Sequence, residues 1–161
     1  MQTQDGKIGG VIQLRGSLRI ALRDLDGKIL QERLVNNVVV TQGRSWVLGQ
    51  LQSNNIQTGQ VIGWLAIGTS SAAPATADVL LGSEVTRVAI GTWVTSTLTA
   101  NPPNWQAQAS FASNIGNTTL AEVGLFNVSA ANSATMLGHA TFTSFSKTTS
   151  NTLTISYTIS G

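Results

Sequence analysis

The sequence predicts an all-β fold, an antiparallel β-sandwich or jelly-roll-like domain with one short helix near residues 41–51. Strand periodicity is the first reason. Leu153, Ile155, Tyr157 and Ile159 alternate strictly with Thr152, Thr154, Ser156 and Thr158, the period of a strand with one buried face. Turn chemistry is the second: Gly, Pro, Asn and Asp clusters recur at intervals of roughly 8–15 residues, the punctuation of a sandwich. The third is that only one segment has helical spacing and flanking cap chemistry.

Residues 1–16 carry three glycines in their first ten positions (Gly6, Gly9, Gly10) and little periodicity. They are expected to form an extended N-terminal arm, with residues 17–161 as a single β domain. From Ser17, Leu18, Ile20 and Leu22 alternate with Arg19, Ala21 and Arg23, a strand. Asp24-Leu25-Asp26-Gly27 supplies a turn, because Asp side chains bond nearby backbone and Gly27 tolerates a positive φ. Lys28 to Val35 returns as the second arm of the hairpin. The helix follows: Thr41 can cap it, and Val47, Leu48 and Leu51 fall at helical spacing. Its two glycines, Gly43 and Gly49, each weaken it by about 1 kcal/mol relative to alanine, so packing through Trp46 must hold it.

After Ser53-Asn54-Asn55 the pattern is strand and loop. Val61 to Gly68 is a short buried strand, and Thr69 to Asp78 is a loop of small residues. Val85 to Ile90 and Thr92 to Thr99 are strands broken at Gly91. Asn101-Pro102-Pro103-Asn104 denies both helix and ladder bonds. Gln106 to Ala112, Leu120 to Phe126, Met136 to Phe142 and the closing strand complete eight or nine. No repeat of fixed period is visible.

Charge is scarce. Asp, Glu, Lys and Arg make up 10% of the chain, against about 25% in an average soluble domain. Seven of the nine basic side chains and four of the seven acids lie in residues 1–44. The remainder carries only Arg87, Lys147, Asp78, Glu84 and Glu122. A tract made polar by Ser, Thr, Asn and Gln suits surfaces that pack against copies of themselves without desolvating ions. A net charge of +2 is too small to argue for nucleic acid. The chain opens polar, without a signal-peptide core, and its longest apolar stretch is far shorter than a membrane span. Neither secretion nor a membrane partner is expected.

The catalytic templates fail. Without cysteine there is no disulfide framework, thiolate metal site or thiol nucleophile. His139, the only histidine, is expected at a surface or interface. No Gly-x-Ser-x-Gly elbow accompanies it, and only Asp78, Glu84 and Glu122 could orient it. Asp24-Leu25-Asp26-Gly27 begins like a calcium loop, but Lys28 and Val35 stand where ligands are required. Glu84 and Glu122 are the only candidate carboxylate pair for glycoside hydrolysis outside the N-terminal hairpin, and that reading is disfavoured. No catalytic, cofactor or metal residues are expected. Partner contact is instead assigned to Ile8, Val11, Ile12 and Leu14 in the arm, and to Arg15, Arg19 and Arg23, of which Arg19 and Arg23 share a strand face. Trp46, Trp64, Trp93 and Trp105 could offer stacking platforms for a sugar, which would make the chain a small carbohydrate-binding module.

Several motifs occur together. Trp64-Leu65-Ala66-Ile67-Gly68-Thr69 runs through a Ser/Ala/Pro/Thr loop to Asp78. Leu81-Gly82-Ser83-Glu84-Val85-Thr86-Arg87 follows, then Leu120-Ala121-Glu122-Val123-Gly124-Leu125-Phe126-Asn127, Met136-Leu137-Gly138-His139-Ala140-Thr141-Phe142 and Lys147 to Ile155. Over residues 34–160 this resembles small structural proteins of bacteriophage virions, of the capsid decoration (cement) or tail-fibre type. The resemblance implies a non-enzymatic protein without cofactors that binds and stabilises the outer capsid shell as a homotrimer. Its partners are then itself and the major capsid protein, and it is made in the host bacterial cytoplasm and located in the virion. A tail or tail-fibre adhesin, contacting tail proteins, is the alternative within the same resemblance.

Overall fold

In a computed structural model, residues 14–52, 62–94, 104–131 and 136–160 are described. They form the expected all-β fold with one helix. In chain order the elements are β1 (Arg15–Asp24), β2 (Ile29–Val39), α1 (Thr41–Gln52), β3 (Trp64–Gly68), β4 (Glu84–Ala89), β5 (Thr92–Val94), β6 (Asn104–Phe111), β7 (Thr119–Phe126), β8 (Met136–Ser146) and β9 (Asn151–Ser160).

The strand order is β4-β3-β7-β8-β2-β1-β9-β6-β5, and every pairing is antiparallel. Strands pair in a nested manner, β1 with β9, β2 with β8, β3 with β7 and β5 with β6. This is the jelly-roll-like relation of a long ribbon folded back on itself. Two strands turn corners between the sandwich's sheets. β2 pairs with β1 through Asn37 and then passes to β8 through Val38 and Val39. At the other corner β4 and β5 are one stretch bent at Ile90-Gly91, where the Ile90 N–H donates to Gly63 and the Gly91 N–H to Gln108. The two ends of the strand order are therefore joined, and the sheet nearly closes into a flattened barrel. Strands that switch sheets at bends make such corners.

Leu18, Ile20, Phe111, Leu125, Leu153 and Tyr157 typify the core between the sheets. A second cluster, Val40, Ala66, Leu81, Phe126 and Met136, lies on the opposite face of β3, β7 and β8. The loop between β3 and β4 covers that face. β7 is consequently buried on both sides after Thr119, which explains why it reads as an apolar run and not as an alternation.

Local chemistry follows the sequence at the first hairpin. Asp24 Oδ1 accepts from the Asp26 and Lys28 N–H groups, at 3.1 and 2.8 Å, and Gly27 has φ of 86°. β1 begins two residues earlier than the expected domain boundary. Arg15 and Gly16 already pair with Ser160 and Ile159 of β9. Gly16 sits there because a Cβ would collide with the Asn37 side chain, so this glycine marks close packing and not an arm.

The helix lies where expected, with two differences. The Arg44 N–H donates to the Val40 carbonyl, while the Thr41 N–H donates to Thr76 in the covering loop. Val40 thus holds the cap position, and Thr41 is the first helical residue. Leu48 faces solvent at 54% exposure, so its spacing does not contribute to the packed face. Gly43 is the contact residue: an added Cβ would lie 2.7 Å from the Leu137 Cα and against its carbonyl. The glycine that weakens the helix is what lets it seat on β8.

The two helix glycines should therefore respond oppositely to alanine. Gly43→Ala gains helix propensity but overpacks against backbone, and should lower stability by about 1–3 kcal/mol in urea denaturation. Gly49, with nothing within 4 Å of an added Cβ, should gain up to about 1 kcal/mol.

Candidate functional site

The titratable groups converge on the outer face of β7 and β8, beneath the 69–83 loop. Antiparallel register sets Gly124 beside His139 and Glu122 beside Thr141, so Glu122 and His139 project from neighbouring strands on one face. β3 supplies Gly68 opposite Glu122. A Cβ there would collide with Glu122 Oε1, and one at Gly82 would lie 2.7 Å from Ser70 Oγ. Gly68 leaves room for a carboxylate with no exposed surface, and Gly82 leaves room for the Ser70 side chain beside it.

That carboxylate accepts three backbone N–H groups from the loop: Ser83 at 2.7 Å, Gly82 at 2.9 Å and Ser70 at 3.2 Å. Its Oε2 also lies 3.2 Å from His139 Nε2. The other ring nitrogen, Nδ1, is 2.7 Å from Asp78 Oδ2, which also accepts the Ala75 N–H at 2.7 Å. Ionised carboxylates only accept, so both ring nitrogens must carry protons. The trio is an imidazolium between two carboxylates.

The ionisation equilibria agree. Burial pulls the His139 pKa down, but the hydrogen bonds and charges of Glu122 and Asp78 more than offset this and leave it raised above 6.5. Burial pushes Glu122 up, while His139 and the three loop amides hold it below its ordinary 4.5. Asp78 is likewise raised by burial but held below 3.8 by the Ala75 amide and His139.

A second buried pair stands next to the loop. Glu84 and Arg87 form a bidentate bridge at 2.6 and 2.7 Å, with side chains only 2% and 3% exposed. Arg87 also donates to the Val128 carbonyl and lies 4.1 Å above the Phe126 ring. At the far end of β8, Lys147 is 1% exposed and donates to the Ala112 carbonyl at 2.8 Å and Asn117 Oδ1 at 3.0 Å. Burial lowers its pKa.

Neither ring nitrogen of His139 is free to take a proton from a substrate, and Glu122 is sealed. The cluster does chain-fastening chemistry. Among the described residues no three His, Cys, Asp or Glu side chains are arranged to hold a metal ion. Comparison of the chain with family models, with curated proteins and with solved structures finds no match in any of the three.

His139 corrects the expectation of a surface histidine: it is 4% exposed, because the 69–83 loop closes over the strand that carries it. Of the expected contact residues, Ile8, Val11 and Ile12 lie outside the described residues. Leu14 lines an apolar recess of about 320 Å³ with Trp46, Val47, Ile62, Trp105 and Ile159. Arg15, Arg19 and Arg23 fall on one face of β1 without forming a free basic patch. Arg19 pairs with Glu32 at 2.6 Å, and Arg23 donates to the Gly27 carbonyl at 2.8 Å. Trp46, Trp64 and Trp105 are half-buried against the two clusters, and the Trp93 side chain lies outside the description.

The trio gives a pH window with a definite sign. The lowered carboxylates contribute stability that is present above 3.8 and 4.5 and lost as pH falls through their folded values. The raised imidazolium contributes stability that is full below 6.5 and lost as pH rises through its folded value. Urea denaturation from pH 5 upward should show an alkaline decline that His139→Gln abolishes. Glu122→Gln keeps one accepting oxygen for Ser70 and Ser83 but turns an NH2 toward the Gly82 amide and the His139 cation, and should cost about 3–5 kcal/mol at neutral pH.

Proposed function

We propose that the chain is a non-enzymatic structural protein of a bacteriophage virion, a capsid decoration protein that attaches to the outer shell in many copies. One observation carries this reading: every charged side chain after Arg44 is engaged within the domain. Asp78 and Glu122 hold His139, Glu84 holds Arg87, and Lys147 holds carbonyls. The outer face of β9 and β6 is left as neutral rows, with Gln106 donating to Thr158 and Gln108 to Ser156. A face of this kind packs against protein without desolvating ions, which is the energetic demand of a permanent assembly contact.

The fastened loop supports the same reading. A covering loop held by three amides on one carboxylate is rigid, as a clamp between shell subunits must be. The motifs between Trp64 and Phe142, far apart in sequence, meet at this loop, so their shared occurrence has a structural reason. Partner affinity is assigned to the N-terminal segment and the face of β1, and rigidity to the β body.

Counting copies by quantitative mass spectrometry of purified particles tests the reading. Hundreds of copies per particle are expected; a few to a few tens would place the chain in the tail, and none would overturn the reading. Deleting residues 1–13 should leave the melting temperature of the isolated protein nearly unchanged and weaken its attachment to shells. Attachment at wild-type affinity would remove that segment from the interface.

A further inference from the structure

The first hairpin has a surface that the fold itself does not use. β2 is bonded to β1 along its length but meets β8 only at Val38 and Val39. Among the described residues, nothing pairs with its other side from Ile29 to Asn37. A bare strand edge is a template for another strand, and proteins usually blunt it with proline, lysine or a bulge. Ile29 to Asn37 contains neither proline nor lysine. The register shift between Leu22 and Arg23, opposite Gln31 and Ile29, leaves Leu30 as the extra residue. The regular free edge is therefore Gln31 to Asn37, bounded by that bulge and by the β8 pairing, and its midpoint is Leu34.

Leu34 is also the most exposed large apolar side chain among the described residues, at 76%. It lies on the outer face, opposite Arg19. The charges beside it are already engaged. Glu32 pairs with Arg19, and Arg33 lies along its own strand, donating to Gln31 and to the Glu32 carbonyl.

We infer that a second copy of this chain pairs with this edge, β2 against β2, about a two-fold axis through Leu34. Two-fold antiparallel pairing about an axis normal to the sheet sets residue 34 against itself, and the other pairs follow. Arg33 meets Val35, Glu32 meets Asn36 and Gln31 meets Asn37 of the second copy. No acid faces acid and no base faces base, and two amides meet at each end. Moving the axis by one residue to Arg33 sets guanidinium against guanidinium, and by two to Glu32 sets carboxylate against carboxylate. Like charges directly opposite are unfavourable. This charge pattern selects the Leu34 register over both, and the edge is complementary to itself. The result is one sheet continuous across two molecules, with the two Leu34 side chains covering each other. Such an isologous contact closes at two copies, whereas the family resemblance implies three.

A single cysteine in this cysteine-free chain tests the register directly. In the full-length protein, Leu34→Cys should oxidise rapidly to a disulfide-linked dimer, because only a residue on the axis faces its own copy. Leu48→Cys and Val79→Cys, exposed on the helix and the covering loop, serve as controls and should not cross-link rapidly. Cross-linking at 34 no faster than at the controls overturns the inference. Independently, Leu34→Lys and Leu34→Glu should each weaken self-association in sedimentation by about tenfold or more, and mixing the two should restore it. A wild-type chain that stays monomeric at about 100 micromolar, or variants that associate like the wild type, also overturns it. Either failure leaves the virion reading standing, since that is decided by copies on particles.

Discussion

A carboxylate without exposed surface must find donors for its lone pairs and a compensating charge, or it does not remain ionised. Glu122 finds both, and much of the molecule is arranged by that requirement. Its donors are backbone amides of Ser70, Gly82 and Ser83, so the ends of the 69–83 loop are drawn to one point. Its charge partner is His139, whose other nitrogen reaches Asp78 in the same loop. The loop is thereby fixed at its ends and along its length. Once fixed, it buries Leu81 with Phe126 and Met136 and turns one face of the sandwich into an interior.

Covering that face makes the domain asymmetric. β3, β7 and β8 are packed on both sides, while β9 and β6 keep an outer face of Gln, Ser and Thr beside the arginines of β1. The corner strands follow from the same geometry. β2 must leave one sheet for the other at Asn37, and this frees its earlier edge. The bend at Ile90-Gly91 joins the two ends of the strand order.

Elements with one buried face were legible in the sequence because strand periodicity survives there. β9, β1 from Ser17 onward and the Asp24–Gly27 turn appear as read. The sequence pattern ends β2 at Val35, since Asn36-Asn37 resembles turn chemistry, but the strand runs to Val39. In the structure the Asn37 amide donates to the buried Tyr157 hydroxyl, which lets the strand continue through the corner. The site was not legible in place. His139 lies 17 residues from Glu122 and 61 from Asp78, and no local pattern spans such distances. A signal was nevertheless present: the only histidine stands in a tract with only three acids, and two of them are its partners. In a tract so poor in charge, each retained ion is better read as internal bonding than as surface.

That reading links composition to assembly. Surface charge keeps a solitary domain hydrated, and a chain that dispenses with it gains no stability by doing so. Here the ions retained after Arg44 lie inside, apart from Asp78 at the rim, and each one that is buried would be costly if unpaired and is paired. What remains outside is neutral and half-bonded to itself, as where Gln108 donates to Ser156. Such rows can be covered by another protein at little desolvation cost, because their hydrogen bonds are partly made already and no ion has to leave water. Among the exposed charges of the described chain, Arg19 and Glu32 lie beside the free edge of β2. They mark the one side of the domain where register must be selected and not merely tolerated. Neutral surface permits contact, and the flanking ions decide its alignment.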